Sequence, residues 1–100
     1  MAGNITRIKT HPGAILKEEL AARGLSANRF ALALGVPAGR ILDILHQRRG
    51  ITPDTAIRIG AYLGTSAEVW LNMQVKHDLS KVEQERGAAI RSEVRTAATV

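Results

Sequence analysis

Residues 26–45 read SANRFALALGVPAGRILDIL, and this stretch spells two short helices joined by a tight turn. Ser26 suits the N-cap of the first, because its hydroxyl accepts from an orphan amide of the opening turn. Phe30, Ala31 and Leu34 then recur at helical spacing. Gly35 follows the last apolar position, where a helix closes readily in the left-handed conformation. Val36 is an apolar turn residue, and Pro37 is expected to open the next helix at its first position. Ile41, Ile44 and Leu45 give that helix a buried stripe. Arg40, Asp43 and Gln47 fall three and four residues apart on another face.

These sizes suit a helix-turn-helix. Ala31 is small where the two helices cross, and Ile41 and Ile44 lock the second helix against the first. The arrangement leaves the second helix projecting, as it must to enter a DNA major groove. A plain helical hairpin in a bundle core has much the same pattern, so the stretch alone does not establish DNA binding.

The chain has 100 residues, which fits one domain with a modest core. It lacks cysteine, which excludes a disulfide framework, a thiolate zinc site and a thiol nucleophile. No run approaches membrane-spanning length and the start has no apolar leader pattern, so a soluble, cytoplasmic protein is expected. Fourteen Lys and Arg stand against nine Asp and Glu, a formal charge of +5 that favours an anionic partner. Arg29, Arg40, Arg48 and Arg49 lie in or just after the central motif, with Asp43 opposing them. The aromatics Phe30, Tyr62 and Trp70 all fall at core spacing, which argues against a base-stacking platform for single strands. His11, His46 and His77 are isolated, with no HExxH pattern and no glycine-rich phosphate loop. Neither an enzyme nor a metal or cofactor site is expected.

Along the chain, residues 1–10 read as an arm carrying Arg7 and Lys9. His11-Pro12-Gly13 opens a first helix with Ile15, Leu16 and Leu20 inward, ended by Gly24. After the central motif, Gly50 breaks the chain, and Thr52-Pro53-Asp54 is a strong helix start. Ala56, Ile57, Gly60 and Leu63 make the expected apolar face of that helix. Thr65 and Glu68 form a candidate capping box for a last helix. That helix carries Val69, Trp70, Leu71, Met73, Val75 and Leu79, more apolar residues than one face needs. The surplus is assigned to a two-fold dimer contact through Trp70, Leu71, Met73 and Gln74, the alternative being that Trp70 simply caps the core of a small monomer. Residues 11–80 thus form the domain, and residues 81–100 are a polar, alanine-rich extension, helical or frayed.

The strings HPGAILKEEL (11–20), ALGVPAGRI (33–41), RRGITPDTAIRI (48–59) and GTSAEVWLNMQVKHDL (64–79) occur in order and at matching spacing. Together they resemble the HigA antitoxins, the VapI-type branch of the XRE (Cro/C1) helix-turn-helix family. The resemblance implies an all-α, five-helix, lambda-repressor-like DNA-binding domain that forms a homodimer. It implies double-stranded operator DNA with an inverted repeat as one partner and a HigB toxin, a ribosome-dependent messenger-RNA endonuclease, as another. Such an antitoxin neutralises the toxin and represses its own operon. Some proteins of this type are stand-alone regulators without a cognate toxin, and that is the alternative.

By position, Pro37, Ala38, Gly39, Arg40 and Asp43 start the recognition helix and face the groove. The family commonly has polar residues where Gly39 and Leu42 stand, and an Asn-Gly turn where His46-Gln47 stands. Arg40 is the candidate base reader, its fork matching guanine, with an ion pair to Asp43 as the competing use. Asp43 is either a cytosine acceptor or the orienter of Arg40. Gln47 is a candidate for adenine or a phosphate, with a solvent-facing side chain as the alternative. Arg48 and Arg49, past the helix end, are candidate phosphate anchors. Ser26 and Asn28 open the motif's first helix, whose amides commonly meet phosphate.

Overall fold

Each helix begins where the chain can satisfy its first amides. The computed structural model describes residues 7–97 and holds α1 (Pro12–Ala22), α2 (Ala27–Leu34), α3 (Ala38–Leu45), α4 (Pro53–Leu63) and α5 (Ala67–Glu93). Ser26 Oγ accepts from Arg29 N, and Thr52 Oγ1 from Thr55 N, as the sequence predicts. Two boundaries differ from expectation. Pro37 is the N-cap of α3 rather than its first helical residue: its backbone is extended, its carbonyl accepts from Arg40 N at 3.0 Å, and its side chain makes no cap hydrogen bond. The cap of α5 is Ser66, not Thr65. Thr65 Oγ1 is occupied elsewhere, accepting from Trp70 Nε1 at 2.7 Å.

The core gathers Leu16 and Leu20 of α1, Phe30, Ala31 and Leu34 of α2, and Ile41 and Ile44 of α3. Ile51, Ala56, Ile59 and Trp70 complete it. α2 packs on both α3 and α4, α1 on α3 and α5, and α4 on α5. Ala56 and Gly60 of the expected inner face of α4 are buried and Leu63 is half-buried, but one position differs. Ile59 is fully buried, and Ile57 lies out in solvent. Ile15 is also exposed and Leu45 only half-buried. Tyr62 is partly exposed, with its ring edge-on to Phe30 at 5.4 Å. Ile51, in the loop before α4, is a core residue that helical periodicity does not mark.

α5 runs unbroken for 27 residues, so residues 81–93 continue the helix rather than fray. It is about 40 Å long in a molecule whose greatest extent is 56 Å. The arm residues 7–10 are not helical, and Lys9 is pinned to α5. Its N–H donates to Ser80 Oγ at 2.8 Å, and its carbonyl lies 2.7 Å from His77 Nδ1. Residues 1–6 of the expected arm, and 98–100 of the extension, lie outside the described residues.

α3 ends in the same hydrogen-bond pattern as α1 and α2, but without their glycine. Gln47 N donates to the Ile44 carbonyl and Arg48 N to the Asp43 carbonyl, the paired bonds that close a helix through a left-handed residue. Gln47 therefore sits at φ +61°, where Gly24 and Gly35 stand in the first two helices. Gln47→Gly is expected to stabilise the chain by about 0.5–1 kcal/mol, read as a shift in urea midpoint at unchanged slope.

His11 caps α1 with its ring. Nδ1 accepts from Gly13 N at 2.8 Å, so the ring is neutral with its proton on Nε2. The ring is buried edge-on to His77. Burial first, then the charge of His77, hold its pKa below 6.5; Asp78 pulls the other way and Lys81 adds to the lowering. The folded chain then binds fewer protons than the unfolded chain as His11 titrates, so stability rises with pH. This contribution is complete above about pH 6.5 and is lost progressively as pH falls toward and through the lowered folded value. Urea midpoints taken from pH 8 down to pH 5 are expected to fall. His11→Asn, which caps without titrating, is expected to flatten that fall.

Candidate nucleic-acid interface

The projecting surface of α3 follows from its inner one. Ile41 and Ile44 are fully buried, which fixes the helix rotation and turns Gly39 and Leu42 to solvent. Gly35, left-handed at φ +74°, closes α2. Val36 N donates back to the Ala31 carbonyl at 3.0 Å, and Val36 packs on the core. A side chain at Gly39 would meet open space, so glycine there is not a packing requirement. Ala38 and Arg40 are half-buried, and Pro37 is exposed.

The charged residues pair differently from the sequence expectation. Asp43 does not hold Arg40. Its Oδ1 accepts from Arg48 Nη2 at 3.1 Å, and its Oδ2 lies 3.8 Å from Arg49 Nη2. Arg40 reaches instead across to α4, where its Nη1 donates to Asp54 Oδ2 at 3.3 Å. Arg58, one turn along α4, donates from Nε to the same oxygen at 2.9 Å and from Nη1 to the Leu34 carbonyl at 2.8 Å. Hydrogen bonding from Arg58 and the charges of Arg58 and Arg40 keep the Asp54 carboxyl below its usual range. A cleft of about 430 Å³ lies between these elements, lined by Arg40, Arg49, Asp54 and Arg58 among others. Asp54 and Arg58 are the functional candidates that sequence reasoning missed. Their i,i+4 spacing was visible, but their meeting with Arg40 was not.

Arg49 joins Arg40 on that cleft, and Gln47, Arg48 and Arg49 line a second notch with His11 and His77. The loop bearing both arginines is held from behind. Ile51 N donates to Gln74 Oε1 at 2.9 Å, and Gln74 Nε2 donates to Asp78. Ser26 and Asn28 are exposed at the far end of α2, about 12 Å along its axis from the turn. Four arginines against two aspartates leave the face basic, which suits a polyanion.

Two members of the expected dimer set face inward. Trp70 and Gln74 are buried inside the chain, the first bonded to Thr65 and the second to Ile51, which is the alternative that the sequence left open for Trp70. Leu71 and Met73 are half-buried against the core. The apolar side chains that α5 leaves exposed are Val69, Val75, Leu79 and Val82.

Among the described residues no group of His, Asp or Glu is placed to hold a metal ion. No described helix is long and apolar enough to cross a membrane. A buried-faced helix projecting from a glycine turn, beside a basic loop, defines the class as a helix-turn-helix DNA-binding domain.

Comparison with known proteins narrows this. A helix-turn-helix family model matches residues 16–70. Virulence-associated protein I of Dichelobacter nodosus is 51% identical over 77 residues, covering 76% of this chain and 71% of that protein. The Pseudomonas aeruginosa antitoxin HigA, solved with the higBA promoter, superposes with a TM-score of 0.84 at 38% identity, covering 92% of this chain and all of that one. The antitoxin GraA, solved in complex with its operator, gives 0.87 at 38% identity over 99% of this chain and 100% of that one. The chain belongs to the XRE-type helix-turn-helix family, in its HigA and VapI branch.

Proposed function

We propose that this chain is the DNA-binding antitoxin of a HigB–HigA type toxin–antitoxin pair, repressing its own operon as a homodimer and neutralising the toxin. The observation that carries the reading is the projection of α3 from its buried Ile41–Ile44 face beside the exposed Arg48–Arg49 loop. The match to antitoxins solved with operator or promoter DNA supports it. Two copies place α3 in successive major grooves, about 34 Å apart, on an inverted repeat. Arg40 reads guanine, and Leu42 meets a thymine methyl. Arg48 and Arg49 hold phosphates, with Asp43 setting their spread. Ser26 and Asn28 bring the start of α2 to the backbone. Pairing runs through the outer face of α5, where Val75, Leu79 and Val82 recur at i, i+4 and i+7.

A gel-shift titration against the chain's own upstream region, with unrelated duplex as competitor, tests the repressor reading. Binding that resists the competitor is the expected result. Salt-sensitive binding without sequence preference would overturn it and move the search to a protein partner. A toxin-like reading frame encoded alongside, whose product co-purifies with this chain, separates the antitoxin from a stand-alone regulator.

A further inference from the structure

The arginine that α3 offers to a base is held, in the unbound chain, by a group from another helix. Asp54 is the second residue of α4. Its Oδ2 takes hydrogen bonds from both Arg40 Nη1 and Arg58 Nε. Arg58 passes the link to the carbonyl of Leu34, the last residue of α2. One carboxylate thus joins the end of α2, the first turn of α3 and the first turn of α4. Stability explains little of this. The Asp54 side chain is 60% exposed, such pairs contribute little in water, and α4 already has its cap in Thr52.

We propose that Asp54 is a positioning and specificity residue: it tethers Arg40 by one edge so that the other reads a base, and its charge weakens the attraction for the DNA backbone, a loss that only the right base offsets. The inference rests on α3 being the groove reader proposed above. Nη1 of Arg40 is engaged, which leaves Nε and Nη2, the parallel donor pair that fits guanine O6 and N7. An untethered arginine on this face would settle on phosphate, which every sequence supplies. Tethered, it gains a partner only where the base is right. The carboxylate also lowers the attraction of the cleft for the backbone, and it does so on all sequences alike.

The test measures affinity by fluorescence anisotropy for the upstream region and for a random duplex of equal length, using the wild-type chain, Asp54→Asn and Asp54→Glu. Asparagine keeps the size and an acceptor oxygen but not the charge. Asp54→Asn is expected to tighten random-duplex binding while operator binding stays level or weakens. Their ratio falls about three- to tenfold, the scale of one newly mobile long side chain. Asp54→Glu is expected to restore most of the ratio. In an Arg40→Ala background, Asp54→Asn should shift both affinities together and leave the ratio where it was. An unchanged ratio in Asp54→Asn, or a fall of the same size without Arg40, overturns the inference. A merely structural role would lower the melting temperature and weaken both duplexes in parallel, which also counts against it. If the wild-type chain itself fails to discriminate, the operator reading has failed, and that outcome is distinct from a wild-type ratio that survives the substitution.

Discussion

Gly13→Ala is expected to cost about 3 kcal/mol of folding stability, the upper end of ordinary overpacking. A Cβ at Gly13 would lie 1.9 Å from the carbonyl oxygen of Ile44 and 2.9 Å from its carbon. Both are backbone atoms of α3 and cannot swing aside as a side chain tip would. Relief requires α1 to move off α3, and α1 supplies Leu16 and Leu20 to the core. The ring of His11, which caps α1, stands 3.0 Å from the same point, so the cap is disturbed too. The gain in helix propensity from glycine to alanine, about 1 kcal/mol at most, offsets only part of this. Set against a typical total of 5–15 kcal/mol, the loss lowers the melting temperature by roughly 12–24 °C for a domain of this size. Thermal melts followed by circular dichroism check it; a drop of only about 2 °C, under 1 kcal/mol, would refute the close contact. Gly39→Ala is the matched control. It lies in the first turn of α3 with open space around it, and it should leave stability level or raise it by about 0.5 kcal/mol.

The double substitution Arg48→Ala, Arg49→Ala is expected to weaken DNA binding at physiological salt by about a hundredfold or more on operator and random duplex alike. In a dimer it removes four cations, so the slope of log affinity against log salt should flatten by roughly 3–4. The structure adds a further cost. Asp43 now balances both arginines, and without them its carboxylate faces the phosphates unopposed. Adding Asp43→Asn to the double variant should therefore recover part of the affinity. Titrations between 50 and 200 mM salt give both numbers. An unchanged slope would remove these arginines from the phosphate contact. Because phosphate contacts carry no base information, the ratio of operator to random binding should hold. Asp54→Asn is expected to do the reverse, moving the ratio more than the slope.

The two parts of the interface differ in how far the sequence reveals them. Arg48 and Arg49 are legible because they follow the end of α3 and cannot be buried by its apolar stripe. Gly39 and Leu42 are legible for the same reason, since the spacing of Ile41 and Ile44 fixes which face is free. The tether on Arg40 is not legible. Asp43, three residues away on the same helix, is the partner that sequence spacing suggests, yet Asp54 holds the arginine. Likewise the apolar run of α5 reads as a pairing face, but the rotation of the helix turns Trp70 and Gln74 inward and leaves Val75 and Leu79 outside.

The sequence by itself determined the helices and most of their ends, though not the cap of α5 or how far that helix runs. Ser26, Thr52, Gly35 and Gly64 act on amides and carbonyls within a few residues, and a 3.6-residue period needs only the neighbouring turns to be read. It also marked the α2–turn–α3 unit and the basic loop after it. The tertiary structure alone decided what meets across helices: Gly13 against Ile44, Arg40 with Asp54, Gln74 under Ile51, and Thr65 taken by Trp70 so that Ser66 caps α5. The physical reason is that these contacts depend on how each helix is rotated about its axis and where it crosses the next. Neighbouring residues stand 100° apart on a helix, so a modest turn about the axis exchanges a buried side chain for an exposed one; Ile57 and Ile59, about 200° apart, lie on opposite sides of α4, and the packing buries the second.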